Sequence, residues 1–467
     1  MANARTSDMT QGPVFGHMLR LFVPMSFAIL AFMAVGVIDT YWMGKLGVAQ
    51  QAAGQMAWPV IMFIMSFSIG LGAGTVSVVS RAAGRKDGAS IPRLCTDAMI
   101  LAFLVVAVVS VLGVLLIDPV FRLMGASDVV MPHVRDFMQI YFAGTLFAVV
   151  PMIASNVLRA QGHSFWPSML MLVAAFVNMA LDPLLIFGWG PFPEMGVQGA
   201  ALATVISNMI TASLMFGLLV KEKLVSLALP KLAPMLEHWA EVTHVGIPAA
   251  ASNMINPMAL FLTTAAAAMF GDAAIAGFGA ARGVEMFTIV PFFALSAVIG
   301  ILTGQNGGAG ITDRVRESFR KAFLFCAAWS GAMAALLWVF SPYIARLMLP
   351  AVEAQDVART YWAIVPITVG GYGIAMAASA GFNGLGRPIN GIAINFVRCL
   401  VLVAPLAWLG AFLTGIDGVI YGVAAGNALT GIGASIYVLR FAPMSATQRK
   451  RKAAAPTAPS EGESVEA

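Results

Sequence analysis

Twelve apolar stretches follow one another along the chain, each long enough to cross about 30 Å of hydrocarbon. They lie near 15–38, 55–80, 94–117, 134–158, 165–189, 196–220, 241–270, 278–303, 320–342, 360–380, 390–413 and 416–440. Short polar connections separate them. The pattern predicts an all-α membrane protein of about twelve transmembrane helices. Many of the runs contain Gly or Pro, which helices in lipid tolerate better than helices in water. The first run follows about a dozen polar residues. It is too long for a secretory signal and lacks a small-residue cleavage site.

The connections alternate in charge. Arg81, Arg85, Lys86 and Arg93 follow the second run, Lys221, Lys223 and Lys231 the sixth, and Arg314, Arg316, Arg320 and Lys321 the eighth. The intervening connections hold few basic residues, mostly beside acids, as in Asp118, Arg122, Asp128, Arg135 and Asp136. Basic loops stay on the cytoplasmic side of a bacterial-type inner membrane. Both termini are therefore expected inside. The expected organisation is an N-terminal tail (1–13), a first lobe of six spans (14–220), a cytoplasmic linker (221–240), a second lobe (241–441) and a tail (442–467). Residues 453–467 are rich in Ala, Pro, Ser and Glu and are expected to be disordered.

The two lobes repeat one another at a shift of 224 residues. Pro24 falls on Pro248, Gly47 on Gly271, Phe63 on Phe287, Gly84 on Gly308 and Gly162 on Gly386. Arg122-Leu123-Met124 falls on Arg346-Leu347-Met348 in the same register. Six spans per repeat is an even number, so both halves enter the membrane in the same sense. Their pseudo-two-fold axis is expected along the membrane normal, with a cleft between two six-helix bundles.

Composition agrees with lipid as the solvent. The 467 residues are 59% hydrophobic and 10% charged, against about 25% charged in soluble domains. The net charge of +5 gathers in loops and in Arg449-Lys450-Arg451-Lys452. That distribution sets orientation and does not suggest nucleic-acid binding. Cys95, Cys326 and Cys399 are far apart in apolar segments and read as small buried hydrophobes.

An ionisable side chain at the bilayer centre costs at least ~2.5–3.5 kcal/mol and so needs a reason. Asp39 lies near the expected outer end of the first span, and Asp182 lies in the fifth. Asn178 is four residues before Asp182 and shares its helix face. Pro183 loosens the helix beside it, and Thr204 lies in the sixth span. Asp39, Asn178, Asp182 and Thr204 form an all-oxygen set suited to Na⁺ or to a shared proton rather than to a transition metal. The competing structural reading has Asp182 capping loosened backbone and Asp39 reaching the outer interface. At the repeat shift Asp39 meets Thr263 and Asp182 meets Leu406, so the second half offers no equivalent acid. Pro24 lies on the helix that carries Asp39. Either it is a static proline or its kink switches when Asp39 is neutralised. The 29 Met and 30 Phe residues suit an adaptable wall.

These residues resemble a known family. Pro24, Asp39 and Met43-Gly44-Lys45-Leu46-Gly47 look like the start of a multidrug and toxic compound extrusion (MATE) transporter. So do the stretch Asn178 to Gly188 and the segment Gly196 to Ala201. Gly246-Ile247-Pro248 and Asn383-Gly384-Leu385-Gly386-Arg387-Pro388 also fit, and the likeness covers nearly the whole chain. It implies a twelve-helix, two-lobe antiporter, not an enzyme, that exports cationic or amphipathic small molecules against H⁺ or Na⁺. It implies no cofactor beyond the coupling ion, and a monomer. By similarity Asp39, Asn178, Asp182 and Thr204 match the first-lobe cation site, with Asn156 in a secondary place. The NorM-like branch carries acids in second-half spans. Here the seventh span has Asn256 and the tenth has no acid, which points to the DinF-like branch.

Two other readings compete. A flippase for a lipid-linked saccharide needs basic residues in its cleft. Only Arg398, and Arg282 near an outer end, are candidates for that role. A membrane-embedded enzyme needs a catalytic constellation. His17, His133, His163, His238 and His244 all fall near span ends or in loops, and no protease or prenyl-transfer motif surrounds Asp39 or Asp182.

Overall fold

A computed structural model describes residues 8–226, 228 and 231–442. The expected disorder of 453–467 and the basic run at 449–452 lie outside the described residues. Twelve long helices are apolar enough to cross a membrane, and no strand occurs among the described residues. They are α1 (Val14–Leu46), α2 (Val48–Gly84), α3 (Ile91–Leu115), α4 (Met131–Ala160), α5 (Phe165–Ile186), α6 (Val197–Lys221), α7 (Leu232–Ala268), α8 (Asp272–Gly308), α9 (Thr312–Met348), α10 (Val352–Gly384), α11 (Pro388–Thr414) and α12 (Ile416–Phe441).

Most helices outrun their apolar stretches, because extending a formed helix adds one hydrogen bond per residue fixed. Thus α7 starts at Leu232, inside the stretch expected to be linker, and α1 continues to Leu46. Gly47 alone separates α1 from α2, with a φ of 139° that favours glycine. A further short helix, Ile117–Leu123, joins α3 to α4.

The packing repeats as the sequence does. In the first six helices α1 packs on α5, α2 and α3 on α4, and both α4 and α5 on α6. In the second six α7 packs on α11, α8 and α9 on α10, and both α10 and α11 on α12. Small residues set the closest crossings. A side chain at Gly199 would meet the Leu185 carbonyl, and one at Gly422 would meet the Leu406 carbonyl. Large exposed side chains such as Phe261, Trp338 and Phe412 cover the outer faces, where the chain meets lipid.

The halves join where α2 packs on α7 and α8, and α1 on α8. Gly70 lies against Gly246 and Ala250, Gly74 against Val242, Gly84 against Gln305, and Gly308 against Arg81. Hydrogen bonds between the halves gather at the same end. Gln305 donates to the Ala160 carbonyl at 2.6 Å and accepts from the Met9 amide at 3.2 Å. Arg314 donates to the carbonyls of Met9, Gln11 and Gly12 at 2.9, 3.3 and 2.7 Å. Met9 is buried, so the stretch expected to be an N-terminal tail is tied to the second half through Met9, Gln11 and Gly12. This closed end carries the basic loops.

Candidate functional site

The four first-half residues singled out in the sequence come together. The extension of α1 to Leu46 places Asp39 within the helix, where it lines a cavity of about 320 Å³, and not at the helix end. Asp182 is fully buried on α5, one turn beyond the buried Asn178. The Asp39 and Asp182 carboxyl groups are within side-chain hydrogen-bonding reach of each other. Two ionised carboxylates are both acceptors, so a hydrogen bond between them would require a proton. Neither Asp182 oxygen has a hydrogen-bond partner among the described residues. With its amide oriented to suit both neighbours, Asn178 donates to Asp39 Oδ1 at 3.3 Å and accepts from Thr204 Oγ1 at 3.3 Å. Among the described residues no three His, Cys, Asp or Glu side chains meet as metal ligands.

Asn156 lies apart from this cluster. It lines the same cavity against Gly72, and no hydrogen bond ties it to either acid among the described residues. Helices α1, α2, α4, α5 and α6 supply the cavity wall, which includes Phe32, Trp58, Met62, Met65, Tyr141 and Met152. Arg159, just past the end of the predicted fourth span, also lines it and touches Met171 Sδ at 3.2 Å.

Pro24 lies inside an unbroken α1. A proline frees the carbonyl four residues earlier, here that of Arg20. Ser164 Oγ, at the start of α5, donates to this carbonyl at 3.1 Å. The sequence reading singled out Pro24 but not the serine, since the two are far apart in the chain.

The second half holds a polar cluster with a buried acid, at a position not equivalent to Asp39 or Asp182 and not singled out in the sequence. Glu285, on α8, is buried and accepts a hydrogen bond from Tyr361 Oη at 2.8 Å. Arg282 lies one turn before Glu285 on the same helix and is half-buried. Arg398, on α11, donates to Asn256 Oδ1 at 2.7 Å and stacks over the Tyr372 ring, 3.9 Å from its centroid. It lies in a π-helical stretch, Val397–Val403. The repeat pointed to positions 263 and 406 for acids, so Glu285 escaped notice. The clue lay in Arg282 and Glu285 at adjacent-turn spacing within one apolar run.

Comparison with known proteins places this architecture. A protein named FAD transporter from Shewanella oneidensis is 30% identical over 441 residues, which is 94% of this chain and 98% of the relative. A multidrug export protein, MepA of Staphylococcus aureus, is 23% identical over 92% of this chain and 95% of its own. The Vibrio cholerae MATE transporter VcmN in its bent form superposes with a TM-score of 0.86 at 27% identity, over 93% of this chain and 98% of that one. The MatE family model matches twice, over residues 24–184 and 248–409. The two matches start at Pro24 and Pro248, in the register of the internal repeat. The chain belongs to the MatE family, whose members are transporters and not enzymes.

Proposed function

We propose that this chain is a secondary active antiporter that exports cationic or amphipathic small molecules in exchange for H⁺ or Na⁺. In this reading lobes 14–220 and 241–441, joined by 221–240, alternate access to a cleft between them. The protein works as a monomer in the inner membrane with both termini cytoplasmic. The observation that carries the reading is the carboxyl pair of Asp39 and Asp182 beside the first-half cavity. Two carboxylates held together away from water repel, so the pair favours a proton or a small hard cation between them. Asn178 and Thr204 complete the oxygen set. Pro24 lets α1 bend when that charge changes, and Ser164 holds the unbent form.

The relative named FAD transporter adds a flavin dinucleotide to the cargo considered for this chain. The flippase alternative draws on the half-buried Arg282 and the buried Arg398, and accumulation of a lipid-linked precursor on gene deletion would favour it. The deciding experiment is transport in proteoliposomes under separately imposed proton and Na⁺ gradients. Uptake driven by one gradient and lost in Asp39→Asn is the expected result. Uptake unchanged in Asp39→Asn would remove the carboxyl pair from the mechanism.

A further inference from the structure

We infer that the second half contains an anion-binding site centred on Arg398, which takes a phosphate or carboxylate group of a small molecule. Calling that molecule cargo rests on the antiporter reading; the binding site itself does not.

The inference starts from a charge balance. Arg282, Glu285 and Arg398 lie around Tyr372 and Tyr361, all within electrostatic reach of Tyr372. Two cations face one acid. The Glu285 carboxylate accepts from Tyr361 and lies one turn from Arg282 on α8, so the acid is committed to the Arg282 side of the cluster. Arg398 is 7% exposed. It has no ion pair among the described residues. One of its N–H groups reaches the neutral Asn256 amide, and its Nε–H is buried without an acceptor. The Tyr372 ring supplies only a cation–π contact, worth up to about 2 kcal/mol when desolvated.

A buried charge without a counter-ion costs several kcal/mol. A hydrophobic side chain at 398 would avoid that cost, so the guanidinium is useful where it meets an anion that comes and goes. An oxyanion fits best, because it accepts the planar N–H fork of arginine in two parallel hydrogen bonds. The backbone supports the same conclusion. Arg398 lies in the π-helical stretch Val397–Val403, and such bulges gather at functional sites. Asn256, the seventh-span residue where a branch of the family carries an acid, is neutral here. That neutrality leaves the Arg398 charge available.

The test uses the full-length protein in phosphatidylcholine nanodiscs, with flavin mononucleotide and riboflavin as probes. The two share a ring system and differ by one phosphate. The wild type should bind the phosphorylated probe more tightly by about tenfold, the worth of a charge-assisted hydrogen bond. That preference should collapse in Arg398→Gln. It should also collapse in Asn256→Asp, which gives Arg398 a permanent counter-ion and keeps the site filled even if Arg398→Gln fails to fold. Equal affinities in the wild type, or a preference that survives in Asn256→Asp, would overturn the proposal. Adding phosphatidylglycerol separates the sources of the anion. Loss of the preference assigns the site to lipid headgroups, and its persistence assigns it to a soluble ligand. Asp39→Asn should keep the preference while losing transport, so the anion site and the coupling mechanism stand or fall separately.

Discussion

In the first half, α1 and α5 bring two carboxyl groups together beside an open cavity. In the second half, the matching helices α7 and α11 bring Asn256 against Arg398, with no acid between them. The helix packing is shared, down to Gly199 on Leu185 and Gly422 on Leu406. The chemistry between the helices is opposite in sign. Close crossings are fixed by small residues and backbone contact, where few substitutions fit. The facing side chains away from those crossings are free to diverge. One scaffold, duplicated, therefore carries a carboxyl pair in one half and an arginine without an ion-pair partner among the described residues in the other.

The comparison can be broken most severely at the carboxyl pair. Asp182→Asn should reduce gradient-driven transport to background, as Asp39→Asn should, with the protein still monodisperse in detergent. Retained transport in both would mean that the first half carries no coupling charge. On the opposite side, Tyr361→Phe removes a hydrogen bond to the buried Glu285 and should cost about 1.5–3 kcal/mol, read as a lower midpoint of thermal unfolding. Asn178→Ala, whose bonds are longer at 3.3 Å, should cost less. At the seam, Gly70→Val drives a side chain into the Gly246 carbonyl. It should cost about 1–3 kcal/mol and raise protease access at the closed end. The mildest change is Ser164→Ala, which leaves the Arg20 carbonyl unpaired for about 1 kcal/mol. Hydrogen exchange around Pro24 should report it, and unchanged exchange there would show that Ser164 does not restrain the bend.

The sequence revealed most of the architecture, because lipid demands long apolar runs with few charges. What it missed follows from the same rule. The ends of α1 and α7 are polar yet helical, so Asp39 was placed near an end when it lies well inside. The Asp39, Asn178, Asp182 and Thr204 group was readable because two members share a helix face and the others lie on packed neighbours. Glu285 and Arg282 were not read together, because attention followed the repeat register, and divergence between the halves breaks that register. The π turn at Arg398 and the Ser164 bond to Arg20 leave no local pattern. Both depend on which distant helices come to lie side by side. The segment before α1 read as a tail because its anchor, Arg314, stands at the start of α9, some three hundred residues later.

The glycine seam carries a mechanical consequence. Surfaces that interlock by large side chains must drag each knob from its socket before they can part. Here the α2 side of the joint touches main chain to main chain at Gly70, Gly74, Gly84 and Gly308, whereas the α1 side buries Met18, Leu21 and Met25 among Phe292, Leu295 and Phe319 of the second half. Directional bonds add to both sides, around Gln305, Arg314 and the Met9–Gly12 strap and at Asp97 with His238 and Trp239. Parting the halves along α2 therefore meets less side-chain resistance than parting them along α1.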